Sequence, residues 1–216
     1  LISLPSRLYV ICDGEVCSRA GWDLVDFASA CIDGGARFLQ IRAKQLTARA
    51  LLDTSTAIVA RAGRSGALVV VNDRADIARL SGAAGVHVGQ DDLEPTAVRR
   101  LLGKASVIGL STHTRDQIDS AAGEPVTYVA VGPVFSSATK DTGYDAVGLE
   151  RVSYAAARLH VRGLPVVAIG GITLETAEAV IGAGADSVAA IGALLTSGDP
   201  AARVRAFLSL LGGPAS

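Results

Sequence analysis

Apolar and polar positions along the chain follow two rhythms in turn. Short β-branched runs, each bounded by polar residues or glycine, predict strands at 7–12, 37–42, 67–72, 85–88, 106–110, 127–132, 165–169 and 187–191. Alanine- and leucine-rich stretches with helical spacing predict helices at 23–33, 47–62, 74–81, 95–102, 115–122, 149–159, 174–182 and 200–211. Several helix starts carry their own signals. Asp199 before Pro200 fits an N-cap with proline in the first turn, Thr173 with Thr176 and Glu178 can open another helix, and Thr114 followed by Asp116 and Gln117 caps a third. A faint repeat marks the return from helix to strand, where Gly34-Gly35-Ala36, Gly82-Ala83-Ala84-Gly85 and Gly184-Ala185-Asp186 supply small residues for a left-handed turn.

Strands that alternate with helices must run parallel, and eight such units favour a single closed (β/α)8 TIM barrel, an α/β fold, over the open doubly wound sheet that is the alternative. No Pro/Gly/Ser-rich linker or charge block interrupts the rhythm, so one domain spanning 1–216 is expected. Half the residues are hydrophobic and 19% are charged, enough to bury a large core. A net charge of −1 with 4% aromatic residues offers no basic, stacking surface for nucleic acid. The apolar runs are too short to span a membrane, and no signal peptide is visible in a sequence that starts at Leu1, so a cytoplasmic location is expected. Cys12, Cys17 and Cys31 lack the spacing of a metal or redox pair and read as small reduced residues, with a reactive thiol as the lesser alternative. Hydrophobic outer helices would permit a homodimer.

Active sites of such barrels form where strands end, and the strand ends of this chain are polar. Gln40, Arg42 and Lys44 alternate to one side after the second strand, a pattern that suits an anion, although Lys44 alone fits an exposed helix start. The third and fourth strands end in Asn72-Asp73-Arg74 and His87-Val88-Gly89-Gln90-Asp91-Asp92. Carboxylates on neighbouring strands suit Mg²⁺, which takes one or two of them and completes its shell with water and substrate phosphate. The plainer readings are a helix N-cap for Asp73 and a solvated acidic turn for Asp91 and Asp92. Ser111 and His113 follow the fifth strand. The polar segment 136–143, with Lys140, reads either as a lid over phosphate or as a surface loop. Gly170-Gly171 and Ile191-Gly192 end the last two strands, where backbone N–H groups often hold phosphate and where tight turns also need glycine.

Taken together, the segments Gln40-Ile-Arg-Ala-Lys44, Val71-Asn-Asp-Arg-Ala-Asp76, Gly85-Val-His-Val-Gly-Gln-Asp-Asp92, Ser111-Thr-His113, Val131-Gly-Pro-Val-Phe135 with Thr139-Lys140, and Ala168-Ile-Gly-Gly-Ile172 resemble the thiamin phosphate synthase family over most of the chain. The resemblance implies a transferase of thiamin biosynthesis. It would move a hydroxymethylpyrimidine group from its diphosphate to the nitrogen of a thiazole phosphate, with Mg²⁺ and through a dissociative step that releases pyrophosphate. It further implies Asp73 and Asp92 as metal ligands, and Arg42, Lys44, Asn72 and Lys140 around the diphosphate. Gln40, His87 and Ser111 would surround the pyrimidine, Ser137 and Thr139 would complete a lid, and Gly171, Ile191 and Gly192 would present amides to the thiazole phosphate. Arg42, Ser111 and Lys140 form the implied catalytic set. Two positions depart from the family's usual pattern: Ala43 stands where an acidic residue is common, and Gly192 where a serine is common. Loss of that hydroxyl would cost roughly 1 kcal/mol of phosphate binding.

Two other readings compete. A related thiazole tautomerase would use His113 as acid and base, but would have no use for Arg42, Lys44, Asp73, Asp92 and Lys140 together. A catalytically silent barrel that binds thiamin intermediates has only Gly192 in its favour.

Overall fold

A computed structural model of the chain describes residues 4–136 and 145–212. The eight apolar runs form strands β1 (Leu8–Asp13), β2 (Phe38–Arg42), β3 (Leu68–Asn72), β4 (Gly85–Val88), β5 (Val107–Thr112), β6 (Tyr128–Val131), β7 (Val166–Ile169) and β8 (Ser187–Ala190). Each pairs in parallel with the next, and β8 pairs with β1, so the sheet closes into a barrel and the open-sheet alternative is excluded. The helices are α1 (Gly14–Arg19), α2 (Leu24–Asp33), α3 (Ala48–Gly63), α4 (Ala75–Ser81), α5 (Pro95–Leu102), α6 (Arg115–Ala121), α7 (Gly148–Leu159), α8 (Leu174–Gly182) and α9 (Pro200–Leu211), with short 3-10 turns at His160–Arg162 and Gly192–Leu194. None of the described helices is long and apolar enough to cross a membrane.

Strand periodicity divides the interior into two cores. On β1, Leu8, Val10 and Cys12 face outward into the apolar layer between strands and helices. Tyr9 and Ile11 face the barrel axis, where they join Phe38, Val70, Tyr128, Ala130, Val167 and Ala189. Tyr9 stacks on Phe38 with ring centroids 3.8 Å apart, and Tyr128 meets Phe38 edge-on at 5.6 Å. These rings fill the barrel floor, and above them the inward positions at the ends of β1 to β5 turn polar.

Capping follows the expected signals. Thr114 and Gln117 exchange side-chain and backbone hydrogen bonds at 3.2 Å each, and Asp199 accepts the Ala202 N–H at 2.9 Å. Gly82 ends α4 with φ 73°, a left-handed cap that the glycine repeat anticipates. The short helix α1 is the element that the hydrophobic pattern does not reveal. Its six residues are too few to show a period, and Asp13-Gly14 reads as a turn. Asp13 makes it a helix, by accepting the N–H groups of Glu15 and Val16 at 3.1 Å each.

Gly85 pairs with Val107 across β4 and β5, where an added Cβ would overlap the Val107 carbonyl. Backbone cannot yield there without breaking the ladder. Gly85→Ala is therefore expected to lower the unfolding free energy by at least about 2 kcal/mol in urea titration; an unchanged midpoint would mean that the β4–β5 ladder is free to shift.

Candidate active site

The inward positions at the strand ends converge on one cavity of about 360 Å³ at the barrel mouth. Asp13 from β1, Gln40 and Arg42 from β2, Asn72 from β3, His87 from β4 and Ser111 from β5 line one side of it. The opposite side is apolar, formed by Ala130, Val167, Ile169, Ala189 and Ile191. An apolar wall across from a polar one suits a ring compound with an anionic substituent. Glu15, Val16 and Arg19 of α1 close the edge above β1.

The polar wall is organised by ion pairs and hydrogen bonds. Asp13 and Arg42 are register partners on β1 and β2, and their side chains form a largely buried ion pair. One carboxylate oxygen of Asp13 holds the guanidinium while the other caps α1, so Arg42 is fixed by a residue that is itself fixed. Asp13 was not among the residues anticipated from sequence. Its signal is legible in retrospect: it lies two places beyond Ile11 on the inward face, at the end of an apolar strand.

Lys44 meets Asp73 at 2.8 Å, more exposed than the Arg42 pair. Asp73 has φ 61°, a left-handed conformation rare outside glycine. The N-cap position before α4 belongs to Arg74 and carries no side-chain cap, so the helix-cap reading of Asp73 is corrected. The left-handed turn directs Asp73 towards its ionic neighbours. Asp92 stands beside it and accepts the Gly89 N–H at 2.7 Å. Desolvation pushes the Asp92 carboxyl above the ordinary carboxylate range, and the neighbouring Asp73 carboxylate pushes the same way, against the Gly89 bond and Lys44. Two facing carboxylates are the donor set expected for Mg²⁺ with substrate oxygens, and among the described residues no three-residue His, Cys, Asp or Glu cluster offers an alternative metal site.

Beneath this rim runs a chain of buried hydrogen bonds. Gln40 Nε2 donates to the Tyr9 hydroxyl at 2.9 Å, Tyr9 and Tyr128 hydroxyls meet at 2.8 Å, Tyr128 meets His87 Nδ1 at 2.9 Å, and His87 Nε2 meets Ser111 Oγ at 2.8 Å. Burial pushes both tyrosine hydroxyls well above their usual range, so they act as neutral donors and acceptors. Gly109 makes the chain geometrically feasible. It lies between His87 and Tyr128 in register, and a side chain there would overlap both the Tyr128 ring end and His87 Nδ1. Sequence reasoning singled out Gln40, His87 and Ser111 but neither the tyrosines nor Gly109, because inward tyrosines in apolar strands read as core.

The remaining anticipated residues divide by position. Gly170 and Gly171 have φ 105° and 63°, and side chains on them would collide with Pro133, Phe135 and the Ser136 carbonyl, so this pair lets the loops after β6 and β7 pack together. Ile191 lines the cavity and Gly192 begins the 3-10 turn that follows it. His113 is not a cavity residue; its Nδ1 lies 2.7 Å from the Gly132 carbonyl. Ser137, Thr139 and Lys140 lie outside the described residues. The three thiols are buried, and burial pushes all of them up, Cys17 to about 12, which argues against the reactive-thiol alternative.

Comparison with known proteins agrees with this architecture. The family model described as thiamine monophosphate synthase matches residues 8–194. The thiamine-phosphate synthase of Koribacter versatilis is 42% identical over 214 residues, covering 97% of each chain. That of Azorhizobium caulinodans is 35% identical over 204 residues, covering 94% of each. Among solved structures, the thiamine phosphate pyrophosphorylase of Pyrococcus furiosus superposes with a TM-score of 0.85 at 26% identity, covering 95% of each chain. With a family match from the first strand to the turn after the last and relatives spanning nearly its whole length, the chain belongs to the thiamine monophosphate synthase family.

Proposed function

We propose that this protein is a transferase that joins hydroxymethylpyrimidine diphosphate to a thiazole phosphate, giving thiamin phosphate and pyrophosphate in a Mg²⁺-dependent reaction. The observation that carries the reading is the barrel mouth itself: one cavity holds Gln40, Arg42, Asn72, His87 and Ser111, and the rim beside it pairs Asp73 with Asp92. A cavity with one apolar and one polar wall suits two flat rings, and the cations Arg42 and Lys44 suit an anionic leaving group.

In this reading the carbon–oxygen bond between the pyrimidine methylene and the diphosphate breaks first, and charge collects on the departing oxygens. Arg42, locked by Asp13, faces that charge without having to reorganise, which is where preorganised groups contribute most, and Lys44, paired with Asp73 on the exposed rim, adds a second cation. Asp73 and Asp92 would hold Mg²⁺, which supplies further positive charge to the diphosphate when bound. The methylene left behind is cationic and is stabilised by the electron-rich aminopyrimidine, which Gln40 and Ser111 orient. The thiazole nitrogen then forms the new carbon–nitrogen bond, so no side chain has to remove a proton from carbon. Gly171, Ile191 and Gly192, at the ends of the last two strands, would present backbone amides to the second anion, the thiazole phosphate. A tautomerase reading draws no support from His113, which bonds to the Gly132 carbonyl outside the cavity.

Pyrophosphate release is expected only when the pyrimidine diphosphate, the thiazole phosphate and Mg²⁺ are all present, with thiamin phosphate formed in equal amount. Pure, folded protein that releases none would sink the proposal. Asp92→Asn is expected to reduce that turnover by about 100-fold or more. Stability should move differently. The folded state holds the Asp92 proton more tightly than the unfolded chain does, so its stabilising contribution is complete at low pH and is lost as pH rises through the raised carboxyl range. In metal-free buffer at neutral pH, thermal melting of Asp92→Asn should therefore occur at or above the parent temperature, with the difference closing as pH falls below the ordinary carboxylate range. A clear drop in melting temperature at neutral pH would show Asp92 to be a structural anchor instead.

A further inference from the structure

The buried chain of hydroxyls has a direction, and the direction follows from counting protons. Tyr9 is fully buried, and its hydroxyl has two polar neighbours among the described residues, Gln40 Nε2 and Tyr128 Oη. An amide nitrogen has no lone pair to offer, so Tyr9 accepts from Gln40 and must donate to Tyr128 or leave its proton unsatisfied. Tyr128, also fully buried, already accepts from Tyr9, and the acceptor left for its own proton is His87 Nδ1. A nitrogen that accepts carries no proton, so the proton of the neutral imidazole sits on Nε2 and is donated to Ser111 Oγ. Ser111 lines the cavity, and its hydroxyl proton is left to point into it. At the other end Gln40, which lines the same cavity, commits Nε2 to Tyr9, so its carbonyl oxygen is the acceptor it has to offer there.

We infer that Tyr9, Tyr128 and His87 are positioning residues that lock Gln40 as an acceptor and Ser111 as a donor, so that the site selects a heteroaromatic ring with an amino group towards β2 and a ring nitrogen towards β5. The inference deepens the proposed function, since an aminopyrimidine has those two groups and its oxo counterpart presents an acceptor where the amino group would be. The lock is geometric. Reversing it requires the Gln40 amide to turn over, both tyrosine protons to swing and the His87 proton to change nitrogen, all together. No member can reverse alone without leaving a buried donor unpaired, a cost that makes the chain behave as one unit.

The test separates this lock from the reaction. Nitrogen-15 spectra of the full chain without substrate, with the His87 signal assigned by its loss in His87→Gln, are expected to show a bare Nδ1 and a protonated Nε2. Tyr128→Phe removes the donor to Nδ1 and strands the Tyr9 proton, which then draws the Gln40 carbonyl inward. The His87 proton should spread to both nitrogens, and the preference for hydroxymethylpyrimidine diphosphate over its oxo analogue, read as the ratio of kcat/KM values, should fall by at least about tenfold. Tyr9→Phe cuts the chain on the other side of Tyr128. It should loosen the same preference while leaving the His87 proton on Nε2, a split that a general loss of packing would not produce. A parent His87 with its proton on Nδ1 overturns the inference, and so does a Tyr128→Phe protein that keeps both the tautomer and the ring preference. The tautomer readings need no turnover, so failure of the synthase reaction and failure of the lock are distinguishable.

Discussion

A buried hydroxyl cannot leave its proton unpaired without cost, and that constraint shapes what stands above the aromatic floor of this protein. Tyr9 and Tyr128 are large enough to fill the space that eight inward strand faces leave, but each brings a hydroxyl that must be satisfied in a dry setting. They satisfy each other first, at 2.8 Å, and pass the remaining valences outward to Gln40 and His87. The residues at the cavity floor are thus the ends of a packing solution. What binds above them meets groups whose orientation has been settled from below.

The constraint extends to residues without side chains. Gly109 sits on the inward face of β5, between His87 on one side and Tyr128 on the other. Any larger residue would occupy the line of the hydrogen bond between them. Gly85 and Gly132 serve the strand ladder in a different way, since side chains there would meet the carbonyls of Val107 and Ile169. Glycines in this chain therefore do three kinds of work: they turn helices back to strands, they let backbones approach, and in one place they keep a polar contact open.

Periodicity made the strands and outer helices legible, because burial on two faces of a barrel strand leaves a continuous apolar run and each helix exposes one stripe. Gln40, Arg42, Asn72, His87 and Ser111 were legible as site candidates for the same reason: polar residues at the end of such a run have few other places to go. Asp13 was not, because the first run was read as ending at Cys12, and an Asp-Gly pair looks like a turn. Helix α1 was hidden with it. Tyr9 and Tyr128 were hidden by their own hydrophobicity, since alternation places them inward but says nothing of how their hydroxyls are paired. A residue that is half core and half network has no distinct pattern in one sequence.

The two cation–carboxylate pairs at the rim show how similar contacts acquire different roles. Asp13 is almost wholly buried and spends its second oxygen on the start of α1, so releasing Arg42 would strand a charge in a closed setting. That pair can only hold position. Lys44 leaves more than half of its side chain in solvent, and Asp73 faces a second carboxylate, Asp92, that shares the influence of the same lysine. An ion pair so exposed contributes little to stability and exchanges partners readily. If Asp73 and Asp92 turn to a divalent ion, Lys44 is released towards the anion that arrives with it. In the proposed reaction the buried pair would supply the rigid half of the diphosphate site and the exposed pair the adaptable half, from residues one strand apart.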